Sequence, residues 1–262
     1  MAMALLFVNK EGKIVERFLG IVHVNETSSL SLKISMESLL IKYGLSISRI
    51  RGQGYDGASN MRGEFNGFKS LILSENPSAF YVHCFAHQLQ LTLVAVAKNH
   101  ILVASFFNSI GILLNVIGGS CKRHDMLREK RIAEVKEALG NDTILSGRGL
   151  NQERSLKRPA DVRWGSHYGT ILNIIVMFSS IIDVLNFIRE DGLTSEQKAE
   201  ATSLLDMILS FDFIFNMHLM KAILGVTNEL SIALQRKDQD IVNSMKQVEI
   251  SKKRLQMMRD NG

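Results

Sequence analysis

Cysteine is scarce in this chain of 262 residues, which contains only Cys84 and Cys121. Two cysteines exclude a scaffold held together by several disulfides, and they suit a reducing compartment. No stretch is expected to be apolar over the whole length of a membrane span. The first residues, MAMALLFVNKEGK, lack a basic segment and have too short an apolar run for a signal peptide. The composition therefore predicts a globular protein without a membrane partner.

The excess of charge of one sign is also small. The formal net charge is +5, and 22% of the residues are charged against 46% that are hydrophobic. This mildly basic balance is compatible with a nucleic-acid partner, although no compact Lys/Arg cluster indicates a nuclear import signal. The strongest bias lies in residues 121–163, with eleven Lys/Arg against seven Asp/Glu. Such a run is either a solvated helix face or a surface that neutralises phosphates.

Aspartate is absent before Asp56, and this residue lies in the most informative stretch of the chain. The segment Ile47–Tyr55 is predicted to be a strand that ends at Asp56, with the small residues GASN directly after it. A helix around Phe68–Leu73 and a second strand, Ala79–Cys84, follow. Strand, helix and strand in this order predict a parallel βαβ unit whose strand tips meet at one edge of the sheet.

The polar residues at these two tips allow two interpretations. A carboxylate at Asp56, surrounded by small side chains, can face an open site. An Asp before a Gly is, however, more commonly a turn residue that caps its own backbone. In the same way, His83, Cys84 and His87 either take part in a site or are packed at the strand end. Their close spacing does not supply the paired ligands of a structural zinc site.

The start of the chain predicts a hairpin and a helix. Met3–Val8 and Ile14–Val24 are predicted to be strands around an Asn/Gly turn, and a helix is predicted from Ser28 to a stop at Gly44. Together with the βαβ unit, the predicted order is β-β-α-β-α-β-α.

From His87 onward the apolar residues recur at helical spacing. Residues 140–158 are polar and contain glycine, which predicts a loop. The apolar band Met207–Met220 predicts core packing or a helix–helix interface. Residues 235–262 predict an amphipathic helix that docks on another surface or on a second copy.

Three motifs resemble those of a known family. The run RGQGYDGASNM, followed by YVHCFAHQLQL and then by RWGSHY, resembles the transposase domain of the hAT superfamily. It is most similar to transposon-derived proteins of the zinc-finger MYM-type-like and TTF-type groups. The motifs occur in the family's order, and the resemblance runs from Phe7 to about Gly262. The N-terminal zinc-finger module of these relatives does not precede the motifs here.

The resemblance implies an α/β fold with an RNase-H-like core, followed by a mainly α-helical insertion domain. Matched to the family, the chain begins inside the second strand of that core, so the first strand is missing. The expected division is a partial core at residues 1–119 and a helical insertion region at residues 120–262. The chain thus corresponds to a family member truncated at both ends.

The resemblance also implies a DDE active site, in which three acidic residues hold two Mg²⁺ or Mn²⁺ ions for in-line attack on phosphorus. Asp56 matches the family's second acid and is the metal ligand and catalytic residue carried over. The first acid belongs to the missing strand, and the family's Glu lies beyond the helical insertion. With one acid of three, we expect no cleavage or joining of DNA and no productively bound metal ion.

Five residues are expected to contact nucleic acid. In the family, the Trp that matches Trp164 stacks on a displaced base, although a lone Trp beside a helix start commonly anchors packing instead. Arg163 beside it suits a phosphate. Asn60, Cys84 and His87 are placed by the other two motifs at the edge that carries Asp56.

Two functions from different classes follow from these observations. The first is a transposon-derived, catalytically inactive protein that still binds DNA in the nucleus, with no small-molecule substrate. The second is a helical protein-interaction or dimerisation module that does not bind DNA. A different RNase-H-like nuclease would need acids on adjoining strands, for which only Glu16 and Glu26 are candidates.

Overall fold

The fold is taken from a computed structural model, which describes residues 1–63, 66–141, 156, 164–236 and 239–261, without the side chains of Arg62 and Trp164. The chain forms two compact units. Met1–Leu91 and Leu230–Lys253 form the first, and Thr92–Glu229 and Arg254–Gly262 form the second.

Short strands lie at the start of the chain, and helices follow them. The strands are β1 (Ala2–Val8), β2 (Ile14–Ile21), β3 (Gly52–Tyr55) and β4 (Phe80–His83). The helices of the first ninety-nine residues are α1 (Ser29–Lys42), α2 (Ser59–Arg62), α3 (Phe68–Glu75) and α4 (Phe85–Asn99). The later helices are α5 (Ile101–Gly118), α6 (Cys121–Gly140), α7 (Trp164–Val176), α8 (Phe178–Asp191), α9 (Ser195–Ile208), α10 (Phe211–Leu234) and α11 (Ile241–Asn261).

The N-terminal strands form the predicted antiparallel hairpin. β1 pairs with β2 in a register that places Ala2 opposite Ile21 and Val8 opposite Ile14, with a bulge after Met3. The Asn9 side chain closes the turn, because its Oδ1 accepts hydrogen bonds from two backbone N–H groups of the turn. β2 ends at Ile21, three residues before the predicted end.

Helix α1 begins and ends as its sequence predicts. Ser28 is the N-cap, and its side chain accepts a hydrogen bond from the backbone N–H of Ser31. Gly44 ends the helix in the left-handed region at φ 67°, which a glycine adopts without strain. The apolar face of α1 packs with α3 in the core of the first unit. Its buried residues are Leu32, Met36, Leu40, Ile47, Phe68, Ile72 and Ala79.

Strands β3 and β4 form the predicted parallel pair, with Tyr55 opposite His83. The predicted first strand is too long, because Ile47–Arg49 forms a 3₁₀ turn. The physical reason is the buried Asn76, whose Nδ2 donates to the carbonyls of Ile47 and Ile50, both at 2.7 Å. These carbonyls are satisfied by a side chain and do not need a neighbouring strand.

The α/β character of the first unit agrees with the expectation from sequence, but its strands do not form one sheet. Across the part of the chain that the structure describes, β1–β2 and β3–β4 are two separate two-stranded sheets. Residues of the hairpin and of β3 nevertheless pack against the same buried core, through Met3, Leu19 and Tyr55.

The second unit is built around a helical core. Helices α5 and α7 to α10 contribute most of its fully buried side chains. Those of the largest volume include Ile110, Leu113, Ile117, Ile171, Ile174, Met177, Ile181, Leu185, Ile208 and Leu224.

One expectation about apolar runs is wrong. Helix α5, Ile101–Gly118, is long and apolar enough to cross a membrane by length and composition alone, and two bent helix pairs pass the same test when each is taken as one span. The 18 residues of α5 contain no charged side chain. Six of them, among them Phe106 and Leu113, are buried in the helical core of the second unit.

The band Met207–Met220 is only partly buried. Phe213, Met217 and Met220 lie in the core as predicted, but Phe211 and Phe215 are 78% and 53% exposed, and their rings stack at 5.8 Å. The band spans the end of α9 and the start of α10, with a break at residues 209–210, and its outer face is in solvent.

Residues 235–262 contain the predicted helix, α11. Ser244 and Ser251 are buried, whereas Ile241 and Met245 are more than half exposed. The predicted loop at residues 140–158 lies outside the described residues apart from its first two positions and Leu156.

Candidate functional site

The ends of β3 and β4 bring the two sequence motifs together. Because the strands are parallel and in register, Asp56 and Cys84 each follow the last residue of a strand at the same edge. The Cys84 backbone N–H donates to the Tyr55 carbonyl at 3.1 Å, which extends the pairing by one residue. The Tyr81 hydroxyl donates to the Asp56 carbonyl at 3.3 Å. Asp56, Cys84 and His87 thus lie at one strand edge, as expected.

The Asp56 side chain is exposed and caps its own turn. Its Oδ1 accepts a hydrogen bond from the Ala58 N–H at 3.3 Å, which is the turn geometry that an Asp before a Gly predicts. In the regions that the structure covers, no three His, Cys, Asp or Glu side chains come together as a metal-binding group. A paired-metal site needs several acids on one face, so the described residues at this edge do not fit it.

A row of rings runs from the core to this edge. Tyr55 contacts Phe68 edge-on at 5.4 Å and Tyr81 at 4.9 Å between ring centroids. Tyr81 stacks with His83 at 6.4 Å, and His83 lies 5.6 Å from His87. Because His87 is on α4, the row joins the strand pair to the first turn of that helix.

Half-buried polar groups and one cation surround the inner end of this row. The Tyr55 hydroxyl donates to Gln53 Oε1 at 2.8 Å, and Gln53 Nε2 donates to the Ala79 carbonyl at 2.9 Å. Burial, and then the neighbouring Tyr81, raise the pKa of Tyr55 well above its ordinary value. The Lys69 ammonium lies 5.6 Å from the centroid of the Tyr81 ring, a cation–π distance. This end of the row is therefore held in place by polar contacts.

Gly57 fits against His83. A β-carbon at residue 57 would stand 2.9 Å from Cε1 and 3.0 Å from Nε2 of the imidazole. The turn after β3 can lie on the ring of β4 only because residue 57 has no side chain. The motif DGASN and the motif YVHCFAH are thus packed directly on one another.

The start of α4 fixes the backbone around Cys84. The Gln88 N–H donates to the Cys84 carbonyl at 3.0 Å, and Gln88 Nε2 donates to the His83 carbonyl at 3.1 Å. The Cys84 side chain itself is exposed. Cys84 and His87 are therefore on a fixed backbone and within reach of a molecule that approaches the strand edge.

Asn60 has a contact that links two loops. The side-chain Nδ2 of Asn60 donates to the Thr27 backbone carbonyl at 2.7 Å. The backbone carbonyl of Asn60 accepts a hydrogen bond from Ser29 Oγ, also at 2.7 Å. These bonds tie the turn after β3 to the N-terminus of α1. The contact with nucleic acid that the motif suggests for Asn60 stays a prediction.

The other two predicted nucleic-acid contacts cannot be placed at this edge from the structure. Arg163 and the side chain of Trp164 lie outside the described residues, although α7 begins at Trp164. Their roles in phosphate binding and base stacking stay predictions.

Three described cations of α6 have partners within the second unit. Lys130 pairs with Asp183 at 2.9 Å, and Arg131 pairs with Glu134 at 3.0 Å. The Lys122 ammonium lies 5.2 Å from the centroid of the Phe187 ring, on α8. For α6 these contacts favour the solvated helix face over a surface that neutralises phosphates.

Tyr81 supports the edge but was not singled out from sequence, whereas His83 was named there without its ring partners. Tyr81 and His83 are two positions apart on β4, and a period of two on a strand places both side chains on one face. That signal was present in FYVH, but their ring contacts with Tyr55 and His87 depend on the register between strands. The close fit of Gly57 carries no sequence signal beyond the presence of a glycine.

Comparison with known families agrees with the N-terminal part of this picture. Residues 1–67 match the family model described as DUF4371, the ZMYM1/FAM200 RNase-like domain. The match covers about a quarter of the chain and includes the hairpin, α1, β3 and the turn at Asp56. It supports a transposon-derived, RNase-like domain in this region. No solved structure matches the chain significantly.

Proposed function

We propose that this chain derives from a hAT-type DDE transposase, does not cut DNA by itself and binds nucleic acid in the nucleus. The observation that carries the proposal is the placement of Asp56 and Cys84 at one strand edge, with His87 beside His83 on α4. The family match over residues 1–67 supplies the RNase-like context for that edge. No membrane and no small-molecule substrate are part of the proposal.

The proposed lack of cleavage rests on charge. Two divalent ions about 4 Å apart repel one another strongly and need several carboxylates to hold them. Asp56 offers one carboxylate, and its Oδ1 already accepts the Ala58 N–H. The edge therefore suits contact with a nucleic acid better than phosphoryl transfer, with Mg²⁺ or Mn²⁺ as the ions that intact relatives would use.

A nicking assay tests the catalytic part of the proposal. Hairpin and terminal-repeat DNA are incubated with the purified chain and Mg²⁺ or Mn²⁺, and the products are resolved on a denaturing gel. We expect no cleavage above the background of Asp56→Ala. Robust cutting by the unchanged chain that Asp56→Ala abolishes would show that this part is wrong.

A gel-shift salt titration tests the binding part. Raising the salt from about 50 to 200 mM should weaken binding steeply if phosphates are neutralised. Trp164→Ala and Arg163→Ala should weaken binding at every salt concentration, and Arg163→Ala should also flatten the slope. Arg189→Ala is the matched control, because Arg189 is an exposed arginine on α8 that pairs with Glu190. Equal loss in all three variants would contradict a localised site.

The contacts of α6 keep a second function open. Lys130 and Arg131 pair with acidic side chains and Lys122 lies over the Phe187 ring, so these three cations of residues 121–163 are less available to phosphates. This observation favours a helical protein-interaction module that does not bind DNA. Self-association without any gel shift at low salt would select it over the first proposal.

A further inference from the structure

Helix α6 is anchored near its start and loosely held along the rest of its length. The structure describes all of α6, and Leu127 is its only buried residue. Met126 beside it packs against the helical core of the second unit, and the Arg123 guanidinium donates to the Val116 carbonyl of α5 at 2.9 Å. In the described part of the chain, no side chain of residues 128–140 belongs to that core. We call residues 128–140 the distal part of α6.

Polar contacts with α8 hold the distal part in place. Lys130 Nζ lies 2.9 Å from Asp183 Oδ2, and the buried Ser180 hydroxyl donates to Glu134 Oε1 at 2.7 Å. The other carboxylate oxygen of Glu134 accepts from the Arg131 guanidinium at 3.0 Å. Because Lys130 meets Asp183 and the later Glu134 meets the earlier Ser180, the two helices run in opposite directions. A polar seam therefore lies between them.

Helix α8 is the fixed side of this seam. Its apolar residues Ile181, Val184, Leu185 and Ile188 are buried in the helical core. The distal part of α6 contributes no buried residue, so its departure leaves those core contacts in place. When the seam opens, the distal part is thus the side that moves.

The strength of the seam depends on the ions in solution. The side chains of its two ion pairs, which include Lys130 and Arg131, are between 29% and 47% exposed. Ion pairs with this exposure stabilise a fold little, and salt screens them further. A helix as short as the distal part is also marginally stable in water once it has left its neighbour. Added ions should therefore loosen this part of α6 before the rest of the unit.

The carboxylates of the seam occupy the cations that a phosphate would bind. Phosphate oxygens accept the same charged hydrogen bonds from Lys130 and Arg131 as carboxylate oxygens do, and a guanidinium suits both groups. A nucleic-acid strand carries its phosphates in a row, so it can replace the carboxylates of Asp183 and Glu134 together. Arg128 and Lys136 are exposed on the same part of the helix and add to its positive charge.

We propose that α8 masks the distal part of α6 against nucleic acid, and that a phosphate backbone opens the mask. Asp183 and Ser180 hold the distal part closed, and its release exposes Lys130 and Arg131 to phosphates. The inference rests on the proposed nucleic-acid binding, to which it adds a second surface and an internal contact that inhibits it. It reconciles the basic bias of residues 121–163 with the internal partners of these two cations.

Hydrogen exchange followed by mass spectrometry tests the mask in the full chain without nucleic acid. Amides of residues 128–140 should exchange faster as salt rises, while those of α8 should not. Ser180→Ala removes the hydrogen bond to Glu134 without changing the net charge. It should speed exchange of the distal part by about threefold or more at low salt. Ser179→Ala is the matched control, because Ser179 is the preceding residue of α8 and is exposed.

A titration with duplex DNA of mixed sequence tests what the mask inhibits. Asp183→Asn frees Lys130 and should tighten binding about threefold or more, with a salt slope steeper by about one. Glu137→Gln is the matched control, because Glu137 is an exposed acid of the distal part with no ion pair among the described residues. It removes the same charge without opening the seam. Circular dichroism checks that each variant keeps its helices.

The two measurements separate the mask from the proposed nucleic-acid binding. Tighter binding by Asp183→Asn than by Glu137→Gln supports the mask, even when the unchanged chain binds no DNA. If the unchanged chain binds DNA and these two variants bind equally well, the mask is wrong and the proposed binding stands. If no variant binds DNA, both are wrong. Exchange in residues 128–140 that responds neither to salt nor to Ser180→Ala overturns the mask whatever the DNA result.

Discussion

Gly57 lies directly on the imidazole of His83, and this contact joins the turn after β3 to the end of β4. A β-carbon at residue 57 would be 2.9 Å from Cε1, closer than such atoms approach one another. The turn that carries Asp56 is therefore positioned by the absence of a side chain next to it.

Gly57→Ala should destabilise the first unit by about 1–3 kcal/mol, because the added methyl group forces His83 or the turn to move. Urea unfolding followed by the near-ultraviolet circular dichroism of the tyrosines measures this loss. Gly111→Ala is the control, since residue 111 is in α5 with nothing within 4 Å of an added β-carbon. It should be neutral or stabilising. Equal effects of the two changes would contradict the close fit.

Asn76→Ala should cost about 2–3 kcal/mol of unfolding free energy. The substitution leaves the carbonyls of Ile47 and Ile50 without their donor in a buried setting. Asn60→Ala removes one bond, from a more exposed side chain to Thr27, and should cost about 1 kcal/mol or less. Urea midpoints of the two variants give the comparison, and the reverse order would refute the role given to Asn76.

The first unit should lose stability above about pH 10. The pKa of Tyr55 is raised by burial and then by Tyr81, and that of Lys33 is raised by hydrogen bonds to Glu37 and then Glu75. In both cases the folded chain keeps a proton that the unfolded chain loses, so the free energy of unfolding falls as pH rises through this range. Below about pH 10 both states hold these protons, so the stabilisation from the two groups is fully present and does not change with pH.

Absorbance near 295 nm checks this pH dependence. The chain has four tyrosines, and Tyr55 should ionise only when the first unit unfolds. Tyr55→Phe should remove that delayed step and flatten the loss of stability with pH. An early, reversible ionisation of all four tyrosines in the folded chain would show that Tyr55 is not protected.

Adjacent residues of α5 should respond very differently to truncation. Leu113 is fully buried, so Leu113→Ala should cost about 2–5 kcal/mol. Ile112 is 38% exposed, and Ile112→Ala should cost clearly less. Unfolding by heat or urea in buffer without detergent measures both. Similar small losses for the two would indicate that α5 is not packed as a core helix.

Sequence alone predicted the local parts of the first unit well. Asn9 at the hairpin turn, Ser28 at the start of α1 and Gly44 at its end each act through neighbours within a few residues, so their chemistry is visible in a short window. The parallel order of β3 and β4 followed from the helix between them.

The missed features depend on residues far apart in the chain. Ile47–Arg49 turns because Asn76, twenty-nine residues from Ile47, binds its backbone. The rings of Tyr81 and His83 meet Tyr55 and His87 only once the strands are in register. Likewise, apolar spacing predicted core packing or a helix–helix interface at Met207–Met220 but gave no sign that Phe211 and Phe215 are more than half exposed.

The two small sheets also differ in how far apart their strands lie along the chain. β1 and β2 are joined by five residues, whereas twenty-four residues separate β3 from β4. Closing the longer loop costs more chain entropy, so we expect the hairpin to form early in folding and the parallel pair only after α3 has docked. The edge that holds Asp56 and Cys84 would then be among the last parts of the unit to assemble during folding. It would also be the first to open under destabilising conditions.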